Sequence, residues 1–182
     1  VEKLYSAAVS KLQNVQLRPY QQDGIRWLLQ QKAQGMGALL ADDMGLGKTL
    51  QTIAVMEPGT LVIAPTSLLS NWREEILRFR DDLTVSIYHG SGRNFKSQTD
   101  VVITSYGVMR SDHLAFDGQK WKITVFDEIQ QIRNPDTQAW KSARAVLSSF
   151  CVGLSGTPVE NKLLDFWAIT QIVNPNLFGH RQ

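Results

Sequence analysis

Six short apolar runs constrain the fold of this chain more than any other feature of its sequence. They are rich in β-branched residues, and their hydrophobicity is continuous rather than alternating: GALLAD (37–42), TLVIAP (60–65), VSIYHG (85–90), DVVITSY (100–106), ITVFDE (123–128) and CVGLSG (151–156). Strands with that pattern are buried on both faces, as in parallel sheets. Helical patterns separate several of the runs. The alternation predicts a three-layer α/β/α domain with a mainly parallel sheet and right-handed crossovers.

Three segments between these runs predict helices from the three-to-four-residue spacing of their apolar side chains. The first spans 19–34, with Pro19 at an early helical position. The second is NWREEILRF, in which the spacing of Trp72 favours core packing over the alternative of stacking on a base. The third is 134–147, with Asn134 as its predicted cap. The basic KWK at 120–122 is interpreted as a solvated turn, with contact to a phosphate as the alternative.

Length and composition limit the number of domains and the compartment. The chain has 182 residues, of which 43% are hydrophobic and 20% charged, enough for one globular domain with a real core. The formal net charge of +2 permits a nucleic-acid partner without arguing for one. One cysteine, Cys151, lies in an apolar run and predicts a buried side chain in a reducing compartment. No apolar run is long enough to span a bilayer and no signal-peptide core is present, so we expect a soluble intracellular protein without a membrane partner.

A glycine-rich segment, LLADDMGLGKTLQTIA, follows the first apolar run and leads into a helical pattern. Gly45 and Gly47 would let backbone amides approach phosphate oxygens at a helix N-terminus. Lys48 would reach the terminal phosphates of a nucleotide, and Thr49 would bind magnesium. Asp42 stands where the strict phosphate-loop spacing has glycine, so a glycine-rich turn with a chance lysine is the alternative.

Two adjacent carboxylates, Asp127 and Glu128, end the strand-like ITVFDE. Phosphoryl transfer needs one acid to hold magnesium and another to orient the attacking water. The carboxyl ends of parallel strands meet at the edge where α/β sheets bind ligands, so this pair would lie beside the phosphate loop. The acidic pair alone is a weak signal, and paired with the glycine-rich loop it becomes a strong indication of a phosphoryl-transfer site.

The helix that begins near Lys48 has only about two turns before Glu57-Pro58-Gly59, which is short for a crossover helix. We therefore expect that a loop of the natural protein is missing near Glu57.

The chain contains, in order, the segments LRPYQQDGIRWL, LADDMGLGKTLQTIA, LVIAPTSLLSNW, DVVITSYGVM, VFDEIQQIRNP and GLSGTPVENKLLDFW. In this order they resemble superfamily 2 helicase-like ATPases, and more narrowly the Swi/Snf family of double-stranded DNA translocases. The resemblance runs from about Leu17 to Trp167. Acidic residues precede MGLGKT in that family, so Asp42 is expected there.

The resemblance implies a RecA-like P-loop lobe over 17–182, with 1–16 as a lead-in helix or extension. Its cofactors would be ATP and Mg²⁺, and its partners double-stranded DNA and a second RecA-like lobe of the full-length protein. The implied catalytic residues are Lys48, Asp127, Glu128 and Gln130, with Thr49 and Asp127 at the metal. The implied nucleotide-binding residues are Arg18, Tyr20, Gln21, Asp43, Met44, Gly45, Leu46, Gly47, Lys48, Thr49 and Leu50.

The same resemblance implies contacts to the DNA backbone and a coupling segment. The implied DNA-phosphate contacts are Pro65, Thr66, Ser67, Thr104, Ser105 and Tyr106. The implied coupling residues are Ser155, Gly156 and Thr157. The alternatives from the residues themselves are that these hydroxyls cap helices, as Ser67 or Ser70 could, that Gln21 is a polar helix face rather than an adenine contact, and that SGTP is an ordinary turn.

The acidic box departs from the family pattern. Ile129 stands where alanine is usual, so the larger side chain must be accommodated beneath the loop. Gln130 would sense the γ-phosphate or couple to the SGTP segment.

The leading hypothesis is the first lobe of a translocase that displaces DNA-bound proteins without separating strands, nearly inactive when isolated because the second-lobe motifs are absent here. The alternatives are a strand-separating helicase of the same superfamily and a non-catalytic nucleotide-binding module. The compact lobe favours a prokaryotic source, hence the cytoplasm, with the nucleus for a eukaryotic one.

Overall fold

One parallel sheet organises the chain. The computed structural model describes residues 1–41, 47–95, 99–156 and 163–175. Within these ranges the strands are β1 (Ala38–Ala41), β2 (Thr60–Ala64), β3 (Val85–Ile87), β4 (Val101–Ser105), β5 (Lys120–Phe126) and β6 (Leu147–Ser155). They pair in the order β1-β6-β5-β2-β4-β3, and every pairing is parallel. The six predicted strands and the parallel sheet are confirmed.

Helices cover both faces of the sheet. They are α1 (Glu2–Ser10), α2 (Pro19–Ala33), α3 (Lys48–Val55), α4 (Leu69–Phe79), α5 (Tyr106–Ser111), α6 (His113–Asp117), α7 (Gln138–Ala145) and α8 (Leu163–Val173), with short 3₁₀ turns at Thr66–Leu68 and Ile129–Ile132. One buried cluster joins α2, α3 and α4 to one face through residues such as Ile25, Ile53 and Ile76. A second cluster joins α5 to α8 to the opposite face, and Met109 and Ile169 belong to it. The three-layer prediction is confirmed.

The start of α7 differs from the prediction. Asn134 is not the cap, because its Oδ1 accepts a hydrogen bond from the Asp136 amide at 3.0 Å in a local turn. The helix begins at Gln138, and the Thr137 hydroxyl accepts from the Trp140 amide at 3.2 Å. The helix also ends earlier than expected, since Leu147 is already the first residue of β6.

The interpretation of KWK as a turn is also wrong. Lys120 opens β5 and pairs in register with Leu147 of β6. Trp121 is only 5% exposed, whereas both lysines point to solvent. The succession of an exposed, a buried and an exposed residue is the alternation expected at the start of a strand, where one face is still in contact with solvent.

A buried arginine closes the end of α3. Arg80 is 1% exposed, and its Nη1 donates to the carbonyls of Ile53 at 2.9 Å and Met56 at 3.0 Å. Its Nε and Nη2 each donate to the Asp82 carboxylate at 2.8 Å. The Ile53 carbonyl also accepts from the Met56 amide at 3.2 Å, so Arg80 adds a second bond there and gives the Met56 carbonyl, just past the end of α3, a buried donor. The helix has eight residues, as short as expected. The missing loop stays a prediction.

The lead-in segment packs on the lobe. Glu2 Oε1 accepts from Arg26 Nε at 2.8 Å, and the Arg26 guanidinium lies 4.0 Å from the centroid of the Tyr5 ring. A helix before 17 is therefore present, and the domain boundary there stays a prediction.

Cys151 is a core residue, as predicted. It is 8% exposed, and burial raises the pKa of its thiol to about 12. Among the described residues, no helix combines the length and the hydrophobicity needed to cross a membrane.

Candidate nucleotide-binding site

A cleft of about 240 Å³ lies where β2, β5 and β6 reach their carboxyl ends. Lys48, Thr49, Asp127 and Glu128 all line it, so the two motifs predicted from opposite parts of the sequence meet in one place. Gly156 lines it as well. Parallel sheets bind ligands at this edge because strand ends and helix N-termini converge there.

The N-terminus of α3 forms one wall. Gly47 precedes the helix with a φ of +91°, a conformation that glycine adopts without strain. Lys48 is 7% exposed, and its Nζ donates to the Ser155 carbonyl at 2.8 Å. The N-terminus of α3, with the positive end of its helix dipole, and the Lys48 ammonium group together provide a site suited to phosphate. The predicted Asp43, Met44, Gly45 and Leu46 lie outside the described residues, whereas Leu50 is buried within α3.

Gln21 lies directly against Gly47. A Cβ added to Gly47 would come within 2.8 Å of Gln21 Nε2, so only glycine leaves room for the amide there. Gln21 Oε1 accepts from the Arg18 amide at 2.9 Å and closes the first turn of α2. Arg18 and Tyr20 are exposed beside it. Gln21 therefore has a structural role at the start of α2, and its contact to adenine stays a prediction.

Asp127 is held at three atoms. Its Oδ1 accepts from the Glu128 amide at 2.9 Å, and its Oδ2 accepts from Trp72 Nε1 at 2.8 Å. Its carbonyl accepts from the Tyr106 hydroxyl at 2.6 Å. Burial raises the pKa of the Asp127 carboxyl; the charge of Glu128 adds to this, while the Trp72 bond and the charge of Lys48 oppose it. A carboxylate that is costly to ionise in a buried cleft is one whose charge a cation would stabilise.

Glu128 has an unusual backbone conformation. Its φ of 50° and ψ of 48° are left-handed, which costs a non-glycine residue about 1–2 kcal/mol. The turn directs its side chain into the cleft, where Oε2 accepts from Gln130 Nε2. Gln130 Oε1 in turn accepts from Ser155 Oγ at 2.9 Å. Since Lys48 binds the Ser155 carbonyl, one hydrogen-bonded chain joins Lys48 to Glu128.

The expected contact between Gln130 and the SGTP segment is therefore present, and its role in coupling stays a prediction. Thr157 of that segment lies outside the described residues.

The first predicted DNA-facing segment is accessible. Thr66 and Ser67 are exposed in the 3₁₀ turn that follows β2, beside half-buried Pro65. No side chain caps the following helix α4, so the alternative that Ser67 or Ser70 caps it is wrong.

The second predicted segment faces inward. Thr104 is fully buried, and its hydroxyl donates to the Tyr88 carbonyl at 2.8 Å. Ser105 caps α5 by accepting from the Val108 amide at 3.2 Å, and Tyr106 is 8% exposed. These hydroxyls are engaged inside the protein and are not available to a phosphate in this structure. The helix-capping alternative holds for Ser105.

The helix α4 supplies cleft residues that sequence reasoning missed. Trp72 is 3% exposed and packs in the core as predicted, yet its indole nitrogen also binds Asp127. Asn71 and Glu75 line the cleft beside it. Burial raises the pKa of Glu75, the nearby charge of Asp127 adds to this, and Arg78 opposes it. Helical spacing identified the buried stripe but carries no information about which atoms of that stripe meet another strand's end.

The parallel three-layer sheet and the paired acids beside a lysine-bearing helix N-terminus define a RecA-like lobe with a candidate nucleotide site. The chain belongs to the SNF2-related domain family, whose sequence model matches residues 20–182.

Named relatives and a solved structure agree with this family. The chain is 41% identical over 179 residues to the Bacillus subtilis protein YwqA, covering 90% of this chain and 19% of that protein. It is 36% identical over 200 residues to the chromatin-remodeling ATPase INO80 of Pyricularia oryzae, covering 94% of this chain and 10% of that protein. The Sulfolobus solfataricus SWI2/SNF2 ATPase core, solved in complex with double-stranded DNA, superposes with a TM-score of 0.84 at 39% identity, over 91% of this chain and 37% of that one. The chain thus spans a fifth or less of the lengths of these two relatives.

Proposed function

We propose that this chain is the first ATPase lobe of a translocase that couples ATP hydrolysis to movement along duplex DNA. The observation that carries the proposal is the hydrogen-bonded chain from Lys48 through Ser155 and Gln130 to Glu128. It joins the group suited to bind phosphate to the group suited to activate water, through the strand end that leads into the SGTP segment. Membership of the SNF2-related family supports the same function.

The residues of the cleft fit ATP with Mg²⁺. Lys48 would bind the terminal phosphates, and Thr49 with Asp127 would hold the metal, which neutralises phosphate charge when bound. Glu128 would orient and deprotonate the attacking water. Gln21 would bind the adenine, since an amide can both donate to and accept from its edge.

The partner is proposed to be double-stranded DNA, gripped through its backbone phosphates. The archaeal ATPase core that this lobe resembles was solved with such DNA. Exposed Thr66 and Ser67, beside Pro65, are the accessible hydroxyls of the predicted set. Hydroxyls and amides that bind phosphates fix position without reading sequence, as movement along DNA requires.

A second RecA-like lobe is proposed to complete the active site. Arginine fingers contribute factors of roughly 10³ to 10⁵ to phosphoryl transfer, and the described residues hold no arginine on the cleft wall. We therefore expect the isolated lobe to hydrolyse ATP poorly. Comparing its DNA-stimulated turnover with that of the full-length protein tests this, and equal turnover would refute it.

The decisive experiment measures ATP turnover of the full-length protein with duplex DNA, single-stranded DNA and RNA. Duplex DNA should stimulate turnover most. Glu128→Gln should lower kcat at least about 100-fold while nucleotide still binds, because it removes the base and keeps the shape. Glu74→Gln, on the exposed side of α4, is the matched control.

The other outcomes select the alternatives. Preference for single strands or RNA, with strand separation, would indicate a helicase. Unchanged turnover in Glu128→Gln would indicate a non-catalytic module.

A further inference from the structure

Two aromatic side chains from different helices donate hydrogen bonds to Asp127. Trp72 Nε1 donates to Oδ2 at 2.8 Å, and the Tyr106 hydroxyl donates to the backbone carbonyl at 2.6 Å. Both donors are buried, at 3% and 8% exposed. Together with the Glu128 amide on Oδ1, they give both carboxylate oxygens and the backbone carbonyl of Asp127 a hydrogen-bond donor.

Each donor comes from an element that begins at a predicted DNA-facing segment. Trp72 lies in the first turn of α4, which follows the 3₁₀ turn at Thr66–Leu68 without a break. Tyr106 opens α5 directly after Ser105, the last residue of β4. The strand β2 pairs with both β4 and β5, so the segment after β2 lies beside the end of β5, which leads into Asp127, and the segment after β4 lies one strand further out.

In this arrangement each segment is connected to Asp127 through closely packed residues. Leu69 and Trp72 are buried on one side of α4, so the helix cannot roll without moving the indole. Tyr106 is adjacent to Ser105, whose hydroxyl caps the same helix. Packed elements of this kind shift as units, because interiors are dense and resist continuous deformation.

We propose that Trp72 and Tyr106 are positioning residues that fix Asp127 and connect it with the two predicted DNA-facing segments, of which the first, at Thr66 and Ser67, is accessible to DNA in this structure. The inference rests on the proposed function and deepens it. Tension on the first segment would move the Trp72 donor and reorient the carboxylate that would hold the metal, whereas tension on the second would move the Tyr106 donor to the peptide carbonyl of Asp127. Coupling of this kind is reciprocal, so metal-bound nucleotide would also change the affinity for DNA.

Packing alone does not require these bonds, and conservative variants separate the two roles. Trp72→Phe keeps most of the buried apolar surface and removes the N–H donor. Tyr106→Phe removes one hydroxyl and keeps the ring. Matched controls remove the same atoms elsewhere: Trp140→Phe deletes a bond from Nε1 to the Ala168 carbonyl at 2.9 Å, and Tyr88→Phe deletes a bond to Asp112 at 2.8 Å.

The experiment uses the full-length protein and a fluorescent ADP analogue, whose affinity is measured with and without Mg²⁺ and with and without duplex DNA. In Trp72→Phe, the factor by which Mg²⁺ increases the affinity for the ADP analogue should fall about tenfold, because the loss of a hydrogen bond to a charged group has an effect of this size. The affinity measured without Mg²⁺ should stay within about twofold of the wild-type value. In both variants the factor by which DNA changes affinity should fall at least about threefold. Both controls should match wild type.

Three results would overturn the inference. An unchanged Mg²⁺ gain in Trp72→Phe would remove the positioning role, and an unchanged DNA factor in both variants would remove the coupling. Equal losses in variants and controls would assign the effects to packing. If DNA changes neither nucleotide affinity nor turnover in the wild-type protein, the proposed function fails and the coupling fails with it; this pattern differs from a DNA effect that persists in the variants.

Discussion

The Ser155 hydroxyl donates to Gln130 Oε1 at 2.9 Å, across the boundary between the end of β6 and the segment that follows Glu128. Gln130 Nε2 in turn donates to Glu128, so the amide of one glutamine bridges a strand end and the Glu128 carboxylate. A displacement of the end of β6 would therefore move the Gln130 amide and change its hydrogen bond to Glu128.

Ser155→Ala should lower DNA-stimulated turnover about fivefold, with nucleotide affinity within about twofold. One neutral hydrogen bond contributes about 1 kcal/mol, and its loss frees Gln130 on one side while leaving the Lys48 contact to the Ser155 carbonyl in place. Steady-state ATPase of the full-length protein measures this. Ser149→Ala, exposed on the same strand, is the control. A variant that hydrolyses ATP at the wild-type rate would remove the bridge from the mechanism.

Ile129 and Gly153 should be energetically coupled. Ile129 is fully buried, and a Cβ on Gly153 would meet its Cδ1 at 2.8 Å. Gly153 has no side chain, and this leaves the room in β6 that the large Ile129 needs after the acidic pair. Ile129→Ala should lower the free energy of unfolding by about 2–5 kcal/mol, and Gly153→Ala by about 1–3 kcal/mol.

The double variant tests the coupling. Because the added methyl would fill space that Ile129→Ala vacates, the combined loss should be smaller than the sum by at least about 0.5 kcal/mol. Urea unfolding of the lobe measures all three variants. Strict additivity would mean that the two side chains do not share this space.

The sequence was sufficient to predict the sheet and the edge that carries the candidate site, because both follow from local patterns. Continuous apolar runs predict buried parallel strands wherever they occur, and parallel strands must end at one edge. Lys48 and Asp127 could therefore be placed together without knowing any contact.

What the sequence missed depends on contacts between distant residues. Asn134 has the composition of a cap, but a local turn to Asp136 competes for its side chain, and Thr137 takes the role. Trp72 has the spacing of a core residue, and only the path of β5 brings Asp127 Oδ2 to its indole. Arg80 looks like an ordinary surface arginine at a helix end.

Arg80→Met should lower the free energy of unfolding by about 3–5 kcal/mol. The guanidinium is 1% exposed and satisfies two carbonyls at the end of α3 as well as Asp82, and removing one partner of a buried polar network is costly. Arg78→Met, at an exposed site in the last turn of α4 just before Arg80, is the matched control and should change stability by less than about 0.5 kcal/mol. Thermal and urea unfolding of the lobe measure both. Equal effects would show that the buried bonds contribute nothing specific.

Asp112 should make the stability of the lobe depend on pH in the acid range. Its carboxylate accepts from Arg93 Nε at 2.6 Å, from Arg93 Nη2 at 2.8 Å and from the Tyr88 hydroxyl at 2.8 Å. These bonds, and above all those from Arg93, hold the pKa of the Asp112 carboxyl well below its usual range. A group whose pKa is lower in the folded state stabilises the fold above its unfolded pKa of about 4, and this contribution is lost as pH falls below that value.

Asp112→Asn should therefore be less stable than wild type at pH 7, by about 1–3 kcal/mol, and the difference should shrink as pH falls from about 4 to about 2. Asp81→Asn, on an exposed site, should keep the wild-type pH dependence. Urea unfolding across this range measures the effect, and a difference between Asp112→Asn and wild type that stays constant with pH would show that ionisation of Asp112 is not its source.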